Sequence, residues 1–592
     1  MPPTAMPQGR YLSCALSVPT DSGGQTRALL MRNRIFALEG GVRPDVLTFG
    51  AAADYDKRRQ TLLERGLLTE QIELLNIYEH YRERGWGGQE PIGERLADLG
   101  AHRIREDLTP DGAPWRVVYR PPDARRNVYD YLRFDGTPYL RIPGFGLHNV
   151  SRGRGTIQQV GPQGDVVGEL NSVGQWFRRW LRDLVGDEER AFVFMDSRFI
   201  VPHIVPMRGR RFHLIYQMHN LHLAAPYQWN SEVLPAYRRV LSRIGGMDAM
   251  VTLTRRQRDD IAERKGRTSN LFVIPNPVAM PQPPPQPPPR DPNQVTILAR
   301  LEPQKRLTDA IAAFQQVVEE LPRARLDIYG QGRQQPRLEA EIDRRQLGAS
   351  VRLRGYDPNA AEALWTSSAF LLTSSFEGYP LSTSESMSRG CPVVSYDIKY
   401  GPREQITDGE DGFLVAPGDV ALLAQRVTEL LRSPELVARM SAAARRTAER
   451  FGPAESLANW ATVVQAVVDR KHLRTKIDEI DFELTRMRRT RLRRVDLAGV
   501  LRVKGTSRGS ALGSAQLSLA AIDDATGAVE ELPLRARLRK GGEFRLRARF
   551  RDDPRTRLRL RFTWENSAWD TDIVRPAAGS EPHSGARARA RA

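Results

Sequence analysis

Cysteine is nearly absent. Cys14 and Cys391 are the only two in 592 residues, which excludes a disulfide-stapled scaffold. Each lies in an apolar, strand-like stretch, so two buried free thiols are expected and the chain reads as cytoplasmic. Long apolar runs are missing as well: none approaches the ~18–20 residues a bilayer-spanning helix needs. The first apolar stretch, YLSCALSV (11–18), follows a single Arg10 and is short for a signal-peptide core, so it reads as a first buried strand. Net negative charge is also lacking. The balance is +18, and from Arg470 onward 29 Lys and Arg face 16 Asp and Glu, leaving about +5 on the first 469 residues. A near-neutral body with a basic appendage fits a polyanionic partner, and equally a solvated Arg-rich appendage encoded by GC-rich DNA; charge alone leaves both open.

What is present is ordinary globular material, 40% hydrophobic and 27% charged, and at ~100–200 residues per domain the length implies three or more domains. The chain opens as a β-α-β unit. Strand 11–18 leads through Gly23 and Gly24 into a helix whose apolar face would carry Ala28, Leu29, Met31, Ile35, Phe36 and Leu38, followed by strand 46–50. LTEQIELLNIYEHYRERG (68–85) reads as the next helix. From about 100 to 170 the texture changes to short alternating segments, with Asp135-Gly136 as a hairpin turn, which implies an antiparallel β insertion. Strands FVFMD and FHLIYQMH resume the α/β pattern. The proline-rich connector PQPPPQPPPRDP (281–292) precedes about 150 residues of β-α repetition, the signature of a doubly wound parallel sheet. Two such domains create a cleft suited to a nucleotide ligand. The last ~100 residues alternate with period two around Gly541-Gly542. There Leu538, Phe544, Leu546, Ala548 and Phe550 would face a core, and Arg535, Arg537, Arg539, Arg545, Arg547 and Arg549 the opposite side; RLRLRF (557–562) repeats the pattern and the tail 585–592 reads as disordered.

The chemistry concentrates in two places. EGYPLSTSE (377–385) follows an apolar strand, crosses a glycine turn and enters a helix, with two glutamates eight residues apart. A hydrolase carboxylate pair must flank one bond, whereas here one glutamate lies on the turn and the other at the helix start. The turn's free N–H groups would suit a phosphate or a sugar hydroxyl, though the segment read alone is equally a loop with a capping residue. In ARLEPQKR, Arg300 and Lys305 lie at the C-terminal end of a strand, where α/β ligands bind and where two cations could meet the charge growing on a diphosphate leaving group. An isolated pair of this kind is more often surface charge.

Taken in order, ARLEPQK, YGQG (329–332), VRLRGY, SSFEGYPLSTSE and DGFLVAPGD resemble the nucleotide-binding domain of family-4 retaining glycosyltransferases, and VIPNPV (273–278) is similar to their segment entering it. The resemblance runs from about 210 to 470. It implies a GT-B fold of two Rossmann-like domains, spanning 1–280 (with the β insertion at about 95–185) and 281–475; the basic β-rich domain expected at 476–575 departs from the simplest members of the family, and a disordered tail is expected at 576–592. It further implies that Arg300 and Lys305 hold the diphosphate, that Glu377 contacts the transferred hexose, and that Glu385 takes the ribose hydroxyls. Gly378, Tyr379, Pro380, Leu381 and Ser382 would line sugar and phosphate with their amides, while Gly355 and Tyr356 border the base. His219, with His222 as the fallback, falls at the family's sugar-contacting histidine, and Gly23 and Gly24 resemble its N-terminal glycine loop. Neither a metal nor any other cofactor is required.

A narrower resemblance links FDGTPYLR, GGQTRALLMRNR and YDIKYGPREQI (396–406) to poly(glycerol-phosphate) and poly(ribitol-phosphate) glycosyltransferases of teichoic acid decoration. It implies front-face transfer of glucose or N-acetylglucosamine from a UDP-sugar to an anionic polyol-phosphate polymer or another glycan. No nucleic acid is implied, and room is left for a homo-oligomer and for a position at the inner membrane face through the acceptor. The same insertion occurs in bacterial adhesin glycosyltransferases, so a protein-directed transferase stays open, as does a non-catalytic partner subunit.

Overall fold

A computed structural model describes residues 5–20, 23–87, 91–92, 95–99, 102–122, 127–144, 156–207, 209, 211–265, 269–286, 288–471, 477–490, 494–505, 516–523, 529–532, 534–538, 543–549, 556–564 and 567–573. The first body is built on a seven-stranded sheet. In spatial order its strands are Leu271–Val273, Ala249–Thr252, Phe212–Gln217, Ala191–Met195, Arg10–Ala15, Pro44–Thr48 and Glu73–Asn76, all parallel. Segments such as AFVFM are buried along their whole length, as strands covered on both faces must be. The helix Gly24–Leu38 covers one face through Ala28, Leu29, Leu30, Ile35 and Phe36. Of the apolar face expected for it, Met31 is half-buried and Leu38, at the helix end, is exposed; Arg32 and Asn33 are buried instead.

The single helix expected over 68–85 is two elements. Leu74 and Asn76 are buried in the edge strand Glu73–Asn76, and the Asn76 side chain then accepts from the N–H groups of Tyr78 and Glu79, starting the helix Ile77–Arg84. A strong N-cap within an apolar run divides strand from helix.

The insertion is a six-stranded antiparallel meander, His102–Leu108, Pro114–Arg120, Val128–Leu132, Pro138–Pro143, Ile157–Val160 and Val166–Leu170. Its hairpin closes at Asp135-Gly136, where the Asp135 carboxylate accepts from the Thr137 N–H at 2.9 Å. The sheet ends at Leu170; the remainder of the expected β region is a helix, Val173–Val185. That helix joins insertion and body in one core, with Tyr78 lying 4.6 Å from Tyr131 and 5.0 Å from Trp176 between ring centroids.

The second body carries six parallel strands in the order Val351–Gly355, Arg325–Tyr329, Asp291–Leu298, Ser367–Leu372, Val393–Tyr396 and Gly412–Val415. Beyond it the helix Pro453–Asp469 returns to the first body, where Trp460 meets Phe36 and Phe194 edge-on. The expected boundary at 475 groups this helix with the second body in sequence, and its apolar face packs on the core of the first.

The C-terminal region forms two four-stranded antiparallel sheets. Phe544, Leu546 and Ala548 are buried and Arg545 and Arg547 exposed, as the alternation requires. Gly541-Gly542, Arg539, Phe550 and the tail 585–592 lie outside the described residues, as do the side chains of Leu538, Arg535, Arg537 and Arg549. In the strand Thr556–Trp564 the arginines depart from an open basic face. Leu558, Leu560 and Phe562 fill the domain's own core, yet Arg559 on the other side is also buried and Arg561 donates to the carbonyls of Glu263 and Arg264 in the first body. Both cysteines are buried free thiols, and among the described residues no helix is long and apolar enough to cross a membrane.

Candidate active site

The candidates of the second body gather at the C-terminal ends of its parallel strands, the edge where α/β folds bind ligands. Asp291–Leu298 runs into Arg300 and a short turn, Pro303–Lys305; Arg325–Tyr329 runs into Gly330, Val351–Gly355 into Tyr356, and Ser367–Leu372 into Ser374 and Glu377. These ends approach closely. At Gly330, with φ +145°, a Cβ would lie 1.9 Å from the Ala299 carbonyl oxygen, and its N–H donates to Gly355 O at 2.7 Å. Arg300 is exposed and its side chain makes no hydrogen bond or ion pair among the described residues; Tyr356 is half-exposed.

The Pro303–Lys305 turn is stitched to the loop before Glu377. Thr373 Oγ1 donates to Lys305 O at 2.8 Å, the Ser375 N–H to Gln304 O at 2.7 Å, and Gln304 Nε2 to Phe376 O at 2.7 Å. This brings Lys305 Nζ to 2.6 Å from Glu377 Oε1, an oxygen that also accepts from Ser374 Oγ at 2.7 Å. Glu377 Oε2 has no hydrogen-bond partner among the described residues. The main chain of Glu377 is fixed twice, by its N–H to Lys399 O at 3.1 Å and by the Tyr400 N–H to Glu377 O at 2.8 Å.

Gly378 meets the first body: a Cβ there would lie 2.1 Å from the carbonyl oxygen of His219. Tyr379 turns its ring into the core, 6.0 Å from Phe451, and contributes only main chain at this point. Pro380 has no N–H, so the amides available in this segment are those of Gly378, Tyr379, Leu381 and Ser382. Gln405 Nε2 holds the segment by donating to Pro380 O and Ser384 Oγ at 3.0 and 2.7 Å. The helix Leu381–Ser388 then begins with no side-chain cap and no acid in its first turn. Gly23 and Gly24 open the helix Gly24–Leu38 the same way, and a Cβ on Gly24 would lie 3.7 Å from Leu381 Cδ1, so two uncapped helix starts face each other. Their free N–H groups and positive dipole ends favour an anion. Across this gap Arg27 pairs with Glu385 at 2.7 Å.

On the first body, His219 Nε2 lies 2.8 Å from Asp196 Oδ1. Asp196 is held from behind by both terminal nitrogens of buried Arg32, at 2.9 and 2.8 Å, and Arg32 also donates to Ser13 Oγ. Burial pushes the Asp196 carboxyl up, but the charge and hydrogen bonds of Arg32 and His219 outweigh it and hold it below the usual range. His222, the fallback, is fully buried with its ring stacked on Tyr400 at 6.2 Å and belongs to the core.

Residues 281–447 match the family described as glycosyl transferases group 1. The chain is 30% identical over 534 residues to the poly(glycerol-phosphate) alpha-glucosyltransferase of Bacillus subtilis, covering 80% of this chain and 77% of that one. The chain belongs to this glycosyltransferase family. Its GT-B fold is shared with two solved structures: Staphylococcus aureus TarM (TM-score 0.60, 18% identity, 77% of this chain and 99% of that one) and the pneumococcal O-GlcNAc transferase GtfA in complex with UDP and GlcNAc (TM-score 0.61, 17% identity, 78% and 99%).

In this glycosyltransferase the expected residues Lys305, Glu377, Gly378 and His219 converge, and Glu385 stands beside Gly24 through Arg27. Sequence reading missed Ser374, Arg27, Arg32, Asp196 and Gln405. Only Asp196, the last residue of FVFMD, carried a signal, as a carboxylate at the mouth end of a buried parallel strand.

Proposed function

We propose that the chain is a retaining hexosyltransferase that moves glucose or N-acetylglucosamine from a UDP-sugar to a polyol-phosphate polymer such as teichoic acid. The observation that carries this is the arrangement at Glu377: one carboxylate, held by Lys305 and Ser374 on one oxygen, lies beside the contact between Gly378 and His219 that joins the two bodies. A single carboxylate in this place supports front-face displacement. The bond from the sugar's C1 to the phosphate oxygen breaks, the acceptor oxygen bonds to C1 on the same face, and the acceptor's proton passes to the departing phosphate. Arg300, Lys305 and the two uncapped helix starts would meet the charge on the diphosphate, with no metal required, and this stabilisation is the largest contribution expected. Glu385 would take the ribose, His219 the hexose, and Gly355 and Tyr356 would border the base.

The acceptor assignment draws on the 30% identity to a poly(glycerol-phosphate) alpha-glucosyltransferase. A protein acceptor is the second reading, favoured by the equal fold similarity to GtfA. The test is a panel of UDP-sugars against glycerol-phosphate, ribitol-phosphate and serine-rich peptide acceptors, reading UDP release and transfer, with and without EDTA. Transfer to the polyol phosphates, unaffected by EDTA and with the anomeric configuration retained, is the expected result. Transfer confined to peptides, or inversion at C1, would overturn the reading.

A further inference from the structure

Among the described residues, Arg561 and Arg557 of the C-terminal β domain donate to two elements of the first body, and both elements lead to Glu377. The first is the helix Arg255–Lys265. Its C-terminal carbonyls, Glu263 O and Arg264 O, accept from Arg561 Nη2 at 2.9 and 2.6 Å. A cation at that end complements both the terminal carbonyls and the helix dipole. At its other end the N–H groups of Arg255 and Arg256 donate to the Glu404 carboxylate of the second body at 2.8 and 3.0 Å. Between them, Asp260 Oδ2 accepts from Lys399 Nζ at 2.6 Å and Tyr400 Oη at 2.5 Å. Lys399 and Tyr400 are the two residues that hydrogen-bond the main chain of Glu377 on either side.

The second place is the segment before that helix. Arg557 Nη2 donates to Asn230 O at 3.3 Å, and Tyr227 in the same segment packs its ring 5.5 Å from Phe376, the residue preceding Glu377. Arg264 ties segment and helix together by donating to Trp229 O at 2.7 Å.

We propose that Asp260 is a positioning residue for Glu377, and that the C-terminal β domain, through Arg557 and Arg561, holds in register the helix and segment that carry Asp260 and Tyr227. The arginines of this strand then serve to dock the domain on the catalytic body rather than to present an open basic surface. The inference rests on the reading of Glu377 as the carboxylate beside the transferred hexose.

The test uses the full chain and compares Asp260→Ala, Asp260→Asn, Tyr400→Phe, the double variant Arg557→Ala/Arg561→Ala, and Glu377→Gln. Two quantities are read: UDP release from the UDP-sugar active in the panel, resolved into kcat and donor KM, and amide exchange in peptides covering residues 374–381 and 397–402. Asp260→Ala should lower kcat about tenfold or more with donor KM within about threefold, because the donor still binds while the carboxylate is misplaced. Asn keeps an acceptor for the Tyr400 hydroxyl and should recover part of the loss, and Tyr400→Phe should fall between Asn and wild type. The double arginine variant should show the same signature at about threefold. In each, exchange should quicken at residues 374–381 and 397–402 and stay unchanged in the strand Val393–Tyr396. Full turnover with unaltered exchange in Asp260→Asn, Tyr400→Phe and the double arginine variant would overturn the inference, as would exchange that quickens uniformly along the chain. Full activity in Glu377→Gln would overturn the site reading itself, whereas its loss beside a fully active Asp260→Ala would overturn only the positioning role.

Discussion

Lys305 Nζ and Glu377 Oε1 lie 2.6 Å apart, with both side chains more than four-fifths buried. The pair links the turn after the first strand of the second body to the loop after its fourth, segments that Thr373, Ser375 and Gln304 also join by hydrogen bonds. On the proposed reading, the same ammonium would steady the carboxylate before reaction and face the diphosphate as it leaves. Removal of a donor aimed at developing charge typically costs ~10²–10³ in rate, so Lys305→Ala and Glu377→Gln should each lower kcat/KM by at least about 10². Glu377→Gln keeps hydrogen-bonding groups in place and should move the thermal midpoint little, whereas Lys305→Ala strips a buried carboxylate of its cation and should lower it. Steady-state assays beside a melting curve check this, and wild-type turnover by either variant would refute the site.

Glu385 and Arg27 give a second, separable prediction. Their pair spans the gap between the bodies at 2.7 Å, but the Arg27 side chain is 49% exposed. A pair that open contributes about 0–1 kcal/mol, so Arg27→Ala should leave stability nearly unchanged. If Glu385 holds the ribose, Glu385→Ala should raise donor KM by about tenfold, the equivalent of ~1.4 kcal/mol, with a smaller effect on kcat. Arg27→Ala frees Glu385 and should leave donor KM the same or lower. Calorimetric titration with UDP separates the two variants, and equal weakening by both would show that the bridge, not the carboxylate, matters to the nucleotide.

Much of this arrangement was legible in the sequence, for reasons that differ by residue. Lys305, Glu377 and Glu385 sit at fixed offsets from strand ends, and the apolar strands were plain, so local pattern placed them at one edge of a sheet. Arg32 and Asp196 could not be paired that way. They are 164 positions apart, and their meeting depends on which strands neighbour each other in the first sheet. Arg32 even interrupts the apolar face of its helix, where pattern reading takes a charge for a solvated position. The strand Glu73–Asn76 was lost inside a helical reading because Asn76 signals a cap only once the turn it starts is known. The helix Pro453–Asp469 follows the second body in sequence yet completes the first core, which is a matter of tertiary packing that period and propensity do not carry.

Gly378 supplies a prediction about how the bodies meet. With a Cβ position only 2.1 Å from His219 O and 2.8 Å from Asn220 Cα, no side chain fits without separating the two bodies. Real contacts of this kind need more than ~3 Å, and backbone on both sides cannot yield as a flexible side chain would. Gly378→Ala should therefore push the two bodies apart at this contact and cut kcat by at least about 10², since misplacement by about 1 Å is enough for such a loss. The UDP affinity of the second body should persist within a few-fold, because Lys305, Glu385 and the Leu381–Ser388 helix remain. Small-angle scattering with and without UDP, beside a binding titration, would test this; an active, normally compact variant would contradict it.

His222 sets an acid limit on stability. Its ring is buried against Tyr400, and burial first, then the charges of Arg264 and Lys399, lowers its pKa to about 3 from an ordinary value near 6.5. Below about pH 6.5 the unfolded chain binds a proton at this position that the native chain refuses, so native stability must fall as pH drops from about 6.5 toward 3, and the term is absent above that window. His80 and His203 are lowered to about 4 chiefly by burial and act in the same direction between about pH 4 and 6.5. The variant His222→Phe retains an aromatic ring against Tyr400 and removes the titrating group. Its thermal midpoint should decline less steeply between pH 7 and pH 5 than that of the wild type, with the two curves parallel above pH 7. Curves that stay parallel down to pH 5 would show that the ring is protonated in the native state and that the buried site tolerates its charge.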